Sequence, residues 1–572
     1  MKKRIGLFVF LSFIGMQTIF AQTVTINGRV TDVADNAPLP GVSVRIKGSS
    51  VGVATDIDGK YTLPVNRQDV LEFSFVGMET VEVPVGDKNV IDVQMKAVSL
   101  KMEEVVVTAQ GMTRQQKALG YSVQNLKSEE LMQTRQMDLN NALVGKVAGV
   151  RFWGSSGATF DAGKIVLRGT SSLNAGGSEP IYVVDGVITS ANSINMDDVE
   201  SVNVLKGPAA TALYGSRGGD GAIIIKTKGL KGQRMAINLS HTLAFEKVYL
   251  HGDYQNEYGG GNLGATAEMY TFKYDPSKHP AYLSIMDGAP YYDYASDVSW
   301  GPRMDGRMYA PWYAWDPTHP KFGQLARFSP PPKDNLEELF QTGMINTTNV
   351  SVAHSGKNYM SRVSFTNISR KGIMPNSDAA RRFLSIKTNF KASERLNIAL
   401  DYKYSYRRNH NNAQEGYGNT GNAFYTFTQW FHRNVDVRDL KDYKRPDGTF
   451  RSWNINSPTN LKPTYHNNPF AIFYEENWQS VYQWNVFSAD ASYEILSNLK
   501  AGIRVNGNLR NYNSYTAIPM NLLGETSRYS TSQNSLIDMQ IQGRVTWSDQ
   551  FFANKLALDA AFFLENRNYR YE

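Results

Sequence analysis

From about residue 235 to its end, the chain repeats one pattern: runs in which apolar and hydrophilic side chains alternate. "LNIALDYKYSY" sets Leu396, Ile398, Leu400, Tyr402, Tyr404 and Tyr406 on one side, and Asn397, Ala399, Asp401, Lys403 and Ser405 on the other. "LKAGIRVNGNL" divides Leu499, Ala501, Ile503, Val505 and Leu509 from Lys500, Arg504, Asn506 and Asn508. "LALDAAFFLE" offers Leu556, Leu558, Ala560, Phe562 and Leu564. A period of two is the period of a β-strand. Strands of about 10 residues with one apolar and one wet face suit an antiparallel transmembrane β-barrel, with lipid outside and water inside. A soluble sandwich uses the same pattern with the apolar face turned inward, and alternation alone does not choose between them.

Two further features favour the membrane. Aromatic residues make up 12% of the chain, with 31 Tyr and 9 Trp, yet the mean hydropathy is −0.39. The N-terminus also reads as an export signal: Lys2, Lys3 and Arg4 precede an apolar run from Ile5 to Phe20, with cleavage expected between Ala21 and Gln22. Beyond that run, no stretch approaches the ~20 apolar residues of a membrane helix. The 572 residues contain no cysteine, which removes both a disulfide framework and a lipid-attachment cysteine. Net charge is +7, but 60 Lys+Arg against 53 Asp+Glu is a mixed surface without a basic tract, so nucleic acid is not an expected partner.

Residues 22–98 alternate in about seven short strands with turn chemistry between them, which predicts a small Ig-like β-sandwich. Val24, Ile26, Gly28 and Val30 share one face of the first strand, and Asp58-Gly59 marks a hairpin. Two motifs here imitate functional sites. Gly48-Ser49-Ser50-Val51-Gly52 matches G-x-S-x-G but lies in a hairpin, without the strand-to-helix turn a nucleophile elbow needs. Asp56 and Asp58 lack the downstream ligands of a calcium loop, so a turn is expected.

Residues 99–112 form a linker that contains "EEVVVTAQG". Val105, Val106, Val107 and Thr108 make a ready strand in a place with no evident sheet. Either it is the last strand of the preceding domain, or it waits for the sheet edge of a partner. Residues 113–230 differ again. "DLNNALVGKVAGV" has helical spacing, with Leu139, Ala142, Leu143 and Val147 on one side, and "KIVLRG", "IYVVDG", "VESVNVLKG" and "GAIIIKTKG" are short glycine-bounded strands. Between the last two, Gly207-Pro208 opens a predicted helix "AATALY" that Gly215 ends. The segment is predicted to be an α+β unit.

The stretch "DDVESVNVLKGPAATALYGSRGGDGAIIIKTKG", residues 197–229, resembles the plug signature of TonB-dependent outer-membrane transporters. Together with "PIYVVDGV", the serine-arginine after "LYG", "VSWGPRMDGR" and "FQTGMINTTNVSVAHSGK", it is similar to the SusC-like branch. Residues around "GRVTD…PLPGVSVRIKGSSVGVATDIDGKYTL" resemble the carboxypeptidase-regulatory-like domain, an accessory module that is not itself a peptidase. The resemblance implies that 113–230 is the plug and that 231–572 is the first part of the barrel. Such barrels have about 22 strands around a plugged lumen. The roughly 340 residues after the plug hold about half of that at ~10 residues per strand plus loops. The sequence also stops at Tyr571-Glu572 without the family's aromatic terminal residue. The expectation is a truncated chain.

The same resemblance implies that Glu104, Val105, Val106, Val107, Thr108 and Ala109 form a TonB box. It carries over Arg168, Asp185, Gly186, Lys206, Gly207, Tyr214, Gly215 and Arg217 as plug-motif residues, with Arg168, Asp185 and Arg217 securing the plug in the barrel. It further implies energised import of an oligosaccharide or peptide, with TonB and its inner-membrane energising complex and a SusD-like surface lipoprotein as partners. No cofactor, metal or catalytic residue is expected. The eight histidines stand at least ten positions apart and none has Glu three residues on, so zinc-peptidase spacing is absent. Gly259-Gly261-Gly264 fits G-x-G-x-x-G but opens no evident helix. A signalling receptor and a surface adhesin are the competing functions. For ligand contact the aromatic stretches 291–300, 309–317 and 424–433 are candidates, unless they serve as girdle or loop packing.

Overall fold

The computed structural model describes residues 23–33, 35–49, 51–75, 78–96, 105–107, 113–115, 123–132, 138–153, 159–160, 163–169, 178–206, 214–229, 235–249, 252–413, 423–524, 526–551 and 556–572. The expected cleavage site at Ala21 and Gln22 and most of "GPAATALY" lie outside these residues. The described residues fall into two compact units, one within 1–104 and one within 105–572.

The first unit is a sandwich of seven strands: β1 (Thr23–Asp32), β2 (Ser43–Ile46), β3 (Gly52–Ala54), β4 (Lys60–Asn66), β5 (Val70–Ser74), β6 (Val81–Pro84) and β7 (Val93–Met95). They form two sheets, in the orders β4-β1-β7 and β3-β2-β5-β6. Alternate residues of each strand meet in the core, where Ile26, Val30, Val42, Val44, Leu71 and Phe73 are fully buried. Gly28 belongs to this face because a Cβ there would stand 1.9 Å from the Ile91 carbonyl oxygen. Ser50, the central residue of Gly48-Ser49-Ser50-Val51-Gly52, lies outside the described residues, and strand β3, not a helix, follows the segment. Asp56 closes a turn by accepting from the N–H groups of Asp58 and Lys60, at 3.0 and 2.8 Å.

In the second unit, β8 (Val105–Val107) pairs antiparallel with β9 (Thr113–Gln115), with Val106 opposite Arg114. A mixed sheet follows, in the order β10-β15-β16-β13-β14, from β10 (Val123–Lys127), β13 (Ile181–Val184), β14 (Val187–Thr189), β15 (Val199–Leu205) and β16 (Ala222–Thr227). The unbroken apolar run of β16 reflects burial on both faces. Ile223 and Ile225 pack with Leu126, Leu139, Leu143 and Val202, while Ala222 and Ile224 pack with Val183 and Leu205. Helices α1 (Ser128–Met132) and α2 (Leu139–Leu143) and the hairpin of β11 (Val150–Trp153) with β12 (Lys164–Leu167) complete this layer. Helix α2 is shorter than its spacing predicts. Asp138 caps it, but Gly145 takes φ 72° and ends it two residues beyond Leu143, although Val147 still reaches the core. Gly215 opens a 3₁₀ turn, Gly215–Gly218.

Nine strands then form one antiparallel sheet: β17 (Met235–Glu246), β22 (Gly343–Ser355), β23 (Tyr359–Lys371), β24 (Asp378–Lys391), β25 (Leu396–His410), β28 (Asn477–Leu496), β29 (Leu499–Ile518), β30 (Arg528–Phe551) and β31 (Leu556–Tyr571). The intervening numbers belong to three short ribbons: β18 (Tyr270–Thr271) with β19 (Pro290–Tyr291), β20 (Met308–Tyr309) with β21 (Ala326–Arg327), and β26 (Ile455–Ser457) with β27 (Asn460–Pro463). Strand β17 lies at one edge of the large sheet and β31 at the other, so the sheet is part of a barrel and not a closed one.

Its burial is inverted relative to a soluble sandwich. Ile237, Leu239, Val363, Phe365, Leu400, Phe562 and Leu564 are exposed, while Asn349, Arg362, Thr366, Arg381, Ser405, Arg407 and Asn508 are buried. Apolar-out and polar-in is the arrangement lipid requires. Strands of 12 to 24 residues exceed the ten or so read from the sequence. The alternation in the sequence marks only the part of each strand where one face must be apolar.

The described residues of 247–342 and 411–476 leave this sheet and pack together as a lobe with its own aromatic core. Tyr292, Tyr294, Trp312, Trp315 and Phe328 from the first excursion meet Phe427, Phe431, Trp453 and Phe470 from the second. Helices α3 (Ala423–Trp430) and α4 (Pro469–Glu475) belong to the second excursion, and Asn468 caps α4. The buried Asp316 carboxylate binds both Arg445 (2.7 Å) and Arg451 (3.1 Å), tying one excursion to the other. Most rings of the three aromatic stretches fill this core.

At its centre His432 is fully buried, with Nδ1 3.0 Å from the Tyr292 hydroxyl and Nε2 2.6 Å from Ser296 O. Burial pushes His432 down from 6.5 to about 3, so it stays neutral in the folded lobe. An unfolded chain takes up the proton near 6.5 and the folded one does not, so stability falls as pH falls. Unfolding of the lobe is expected to become easier by about 1.4 kcal/mol per pH unit between roughly 6.5 and 3. Denaturant titration followed by tryptophan fluorescence checks this, and His432→Gln should flatten the slope.

Candidate functional site: the plug and its seat

The Asp185-Gly186 dipeptide makes the β13–β14 turn, with φ of 48° and 91° at the two residues. Positive φ at both positions is the type I′ geometry that Asp-Gly favours between antiparallel strands. The turn carries the Asp185 carboxylate to the wall of the large sheet. There Oδ1 lies 3.1 Å from Lys387 Nζ and Oδ2 lies 2.8 Å from Lys403 Nζ. From the plug side, Thr227 donates its N–H to Oδ1 at 3.1 Å and its hydroxyl to Oδ2 at 2.5 Å. Asp401 completes the group, 2.5 Å from Lys403 and 3.9 Å from Lys387. Two lysines and two aspartates balance. Burial pushes the Asp185 carboxyl up, but Lys403 and Lys387 outweigh it and hold it well below the usual carboxylate range.

Three further ties fix the plug. The Asp198 carboxylate meets Arg362 of β23 at 2.7 Å with both side chains buried, and Asn195 bridges Asp198 to the Thr366 hydroxyl. Phe160 is held by its backbone: its N–H donates to Asn412 Oδ1, and its carbonyl accepts from Arg381 (2.8 Å) and Arg407 (2.9 Å). Arg370 lies over the Phe160 ring and pairs with Glu246 at 2.9 Å. Asn508 of β29 donates to Ile188 O at 3.0 Å. Every strand residue of the large sheet in these ties sits on the inward, hydrophilic positions of its strand; Asn412 lies just beyond β25.

The other sequence-derived residues are placed differently from one another. Arg168 is exposed, with its N–H bonded to Gly149 O. Lys206 reaches Gln124 Oε1 at 3.5 Å, and burial followed by the nearby Arg168 lowers its pKa. Tyr214 rests half-buried against Val183, Leu205, Ala222 and Ile224. Gly215 and Arg217 line a cavity of about 300 Å³ with Arg504, Glu565 and Arg567. A second cavity of about 270 Å³ opens beside Asp185, Gly186 and Tyr214. Glu104, Gly207, Thr108 and Ala109 lie outside the described residues. Among the described residues no group of His, Asp and Glu is arranged to hold a metal.

The plug's partners on the wall (Arg362, Arg370, Arg381, Lys387, Lys403 and Arg407) were not singled out from the sequence. Their signal was available as cationic residues at inward positions of long alternating strands. What they bind was not available, because the pairing joins residues more than 160 positions apart.

Two family models match: the CarboxypepD_reg-like domain over residues 26–107 and the TonB-dependent Receptor Plug Domain over 115–222. TonB-dependent receptor SusC of Bacteroides thetaiotaomicron is 27% identical over 475 residues, covering 77% of this chain and 40% of that protein. The chain carries a TonB-dependent receptor plug domain and is SusC-like. TonB-dependent receptor P26 of Formosa agariphila is 29% identical over 398 residues, covering 69% of this chain and 35% of P26. The SusC-like chain thus spans well under half the length of these curated relatives. Its fold matches the RagAB peptide importer in its "open-open" state with a TM-score of 0.57 at 17% identity, covering 82% of this chain and 49% of that one.

Proposed function

We propose that this SusC-like chain is the N-terminal part of an energised importer in the outer membrane. It takes up an oligosaccharide or peptide that a SusD-like surface lipoprotein helps to capture. One observation carries the reading: a folded α+β domain is clamped by buried ion pairs against the hydrophilic face of an inside-out sheet. A barrel filled in this way conducts only if the filling moves, and buried charge pairs resist that until work is done on them. TonB supplies the work by pairing its sheet edge with residues 104–109, of which Val105–Val107 are already extended.

An adhesin has no use for a clamped plug. A purely signalling receptor is disfavoured by the N-terminal module, which matches the regulatory-like domain. The test is accumulation of labelled oligosaccharides and peptides by cells with and without the full-length gene. Gene-dependent uptake that a protonophore abolishes supports import. Surface binding without accumulation supports a receptor or adhesin instead.

A further inference from the structure

Phe160 does more than tie the plug to the wall, because the groups it touches belong to the root of the lobe. Its ring is buried, and a Cβ on Gly372 would stand 2.9 Å from the ring's Cζ, so the glycine leaves room for it. Gly372 opens the turn 372–377 between β23 and β24, and both excursions hold that turn. From the first, Gln341 donates its N–H to Ile373 O at 2.8 Å, and its side-chain amide to Gly372 O at 3.0 Å and Met374 O at 2.9 Å. From the second, Phe473 O of α4 accepts from the Asn376 amide at 2.9 Å. Met374 itself sits in the lobe's aromatic core.

The backbone of Phe160 leads to the same place. Its N–H donates to Asn412 Oδ1 at 2.6 Å. The preceding residue, Asn411, closes the second excursion: its N–H donates to Trp478 O, and its Oδ1 accepts from the Trp478 N–H, both at 2.9 Å. The strands concerned, β23, β24 and β25, are paired on both edges, so the arrangement does not depend on where the sheet ends. Close-packed interiors are stiff and pass a displacement on. We propose that Phe160 is the positioning residue that couples the lobe to the plug. A shift of the lobe moves the 372–377 turn and Asn412, and the ring and backbone of Phe160 carry that shift into the plug. Coupling between two sites is reciprocal, so loosening the plug at Phe160 loosens the lobe. The inference goes beyond the import reading and requires no transport.

A double-variant cycle measures the coupling, read by hydrogen exchange in the full-length protein in detergent. Asn376→Gly removes the bond to Phe473 O and keeps the left-handed backbone at residue 376, where φ is 56°. It should speed exchange in plug residues 163–169 by about fivefold, the lower end of ordinary coupling between sites. Gln341→Ala, on the other excursion, should do the same. Phe160→Ala should abolish both responses, and Phe160→Leu should keep most of each. Asp185→Asn loosens the plug at another tie and should leave the responses in place. Phe160→Ala should also speed exchange in lobe residues 469–476, which Asp185→Asn should not. Plug exchange indifferent to both lobe variants, responses of equal size in Phe160→Ala, or lobe exchange indifferent to Phe160→Ala overturns the proposal. None of these readouts involves uptake, so such a failure leaves the import reading standing, and a chain that imports nothing leaves the coupling standing.

Discussion

Val106→Pro is expected to abolish energised uptake while ligand binding to intact cells stays at the wild-type level. Proline has no N–H and does not continue a strand ladder, so a partner sheet loses its grip at the centre of Val105–Val107. The substitution lies in a three-residue strand that contributes little to either compact unit, so assembly and surface abundance should survive. Val106 also faces Arg114 across the β8–β9 ribbon, so Val106→Pro disturbs that pairing as well. Arg114→Pro separates the two effects: it breaks the ribbon but leaves residues 104–109 free to pair, and uptake should persist. Val106→Ala keeps the backbone and should be mild. Labelled-substrate uptake and TonB pull-down decide. Normal uptake with Val106→Pro at normal surface abundance would make the valines a structural strand and nothing more.

The second large effect is expected at the plug's seat. Asp185→Asn leaves Lys387 and Lys403 facing Asp401 alone, with one buried positive charge uncompensated. Breaking one partner of a buried ionic group costs about 3–5 kcal/mol. The plug should then dislodge more readily, read as sensitivity to antibiotics too large for ordinary pores and as faster proteolysis of residues 180–190. Adding Lys403→Met to Asp185→Asn restores neutrality by leaving the Lys387–Asp401 pair, and should recover much of the loss, so the two effects will not add. The pH dependence has a definite sign. The Asp185 carboxyl is held well below its ordinary 3.8, so its contribution is full above that value and disappears only as pH falls through the lower, folded-state value. Asp185's own share of the seat should therefore hold unchanged from neutral to mildly acidic pH. Any loosening between pH 7 and 5 would belong to another member of the seat, Asp401 being the remaining carboxylate.

Much of the architecture was legible in the residues themselves. The period of two is local, so Leu396 to Tyr406 declares a strand with two unlike faces whatever it packs against. Asp185-Gly186 declares its turn for the same reason, because left-handed backbone at two successive positions is a demand that few dipeptides meet. The absence of cysteine excluded disulfides, and "GAIIIKTKG" announced a short glycine-bounded strand.

Tertiary structure decided what no neighbouring residue encodes. Alternation does not say which face meets lipid. Only the assembled sheet, with Phe365 and Leu400 outward and Thr366 and Arg407 inward, turns the pattern inside out. Helical spacing continued through Val147, but Gly145 stopped α2 because backbone conformation overrides side-chain periodicity. Of the aromatics in residues 291–317, packing buried Tyr292, Tyr294 and Trp315 and left Trp300 in water, a division that depends on which excursion folds over which. The plug's grip belongs to the same class. Asp185 and Lys403 are 218 positions apart, and their 2.8 Å contact exists because a plug turn and an inward strand position reach the same point in space.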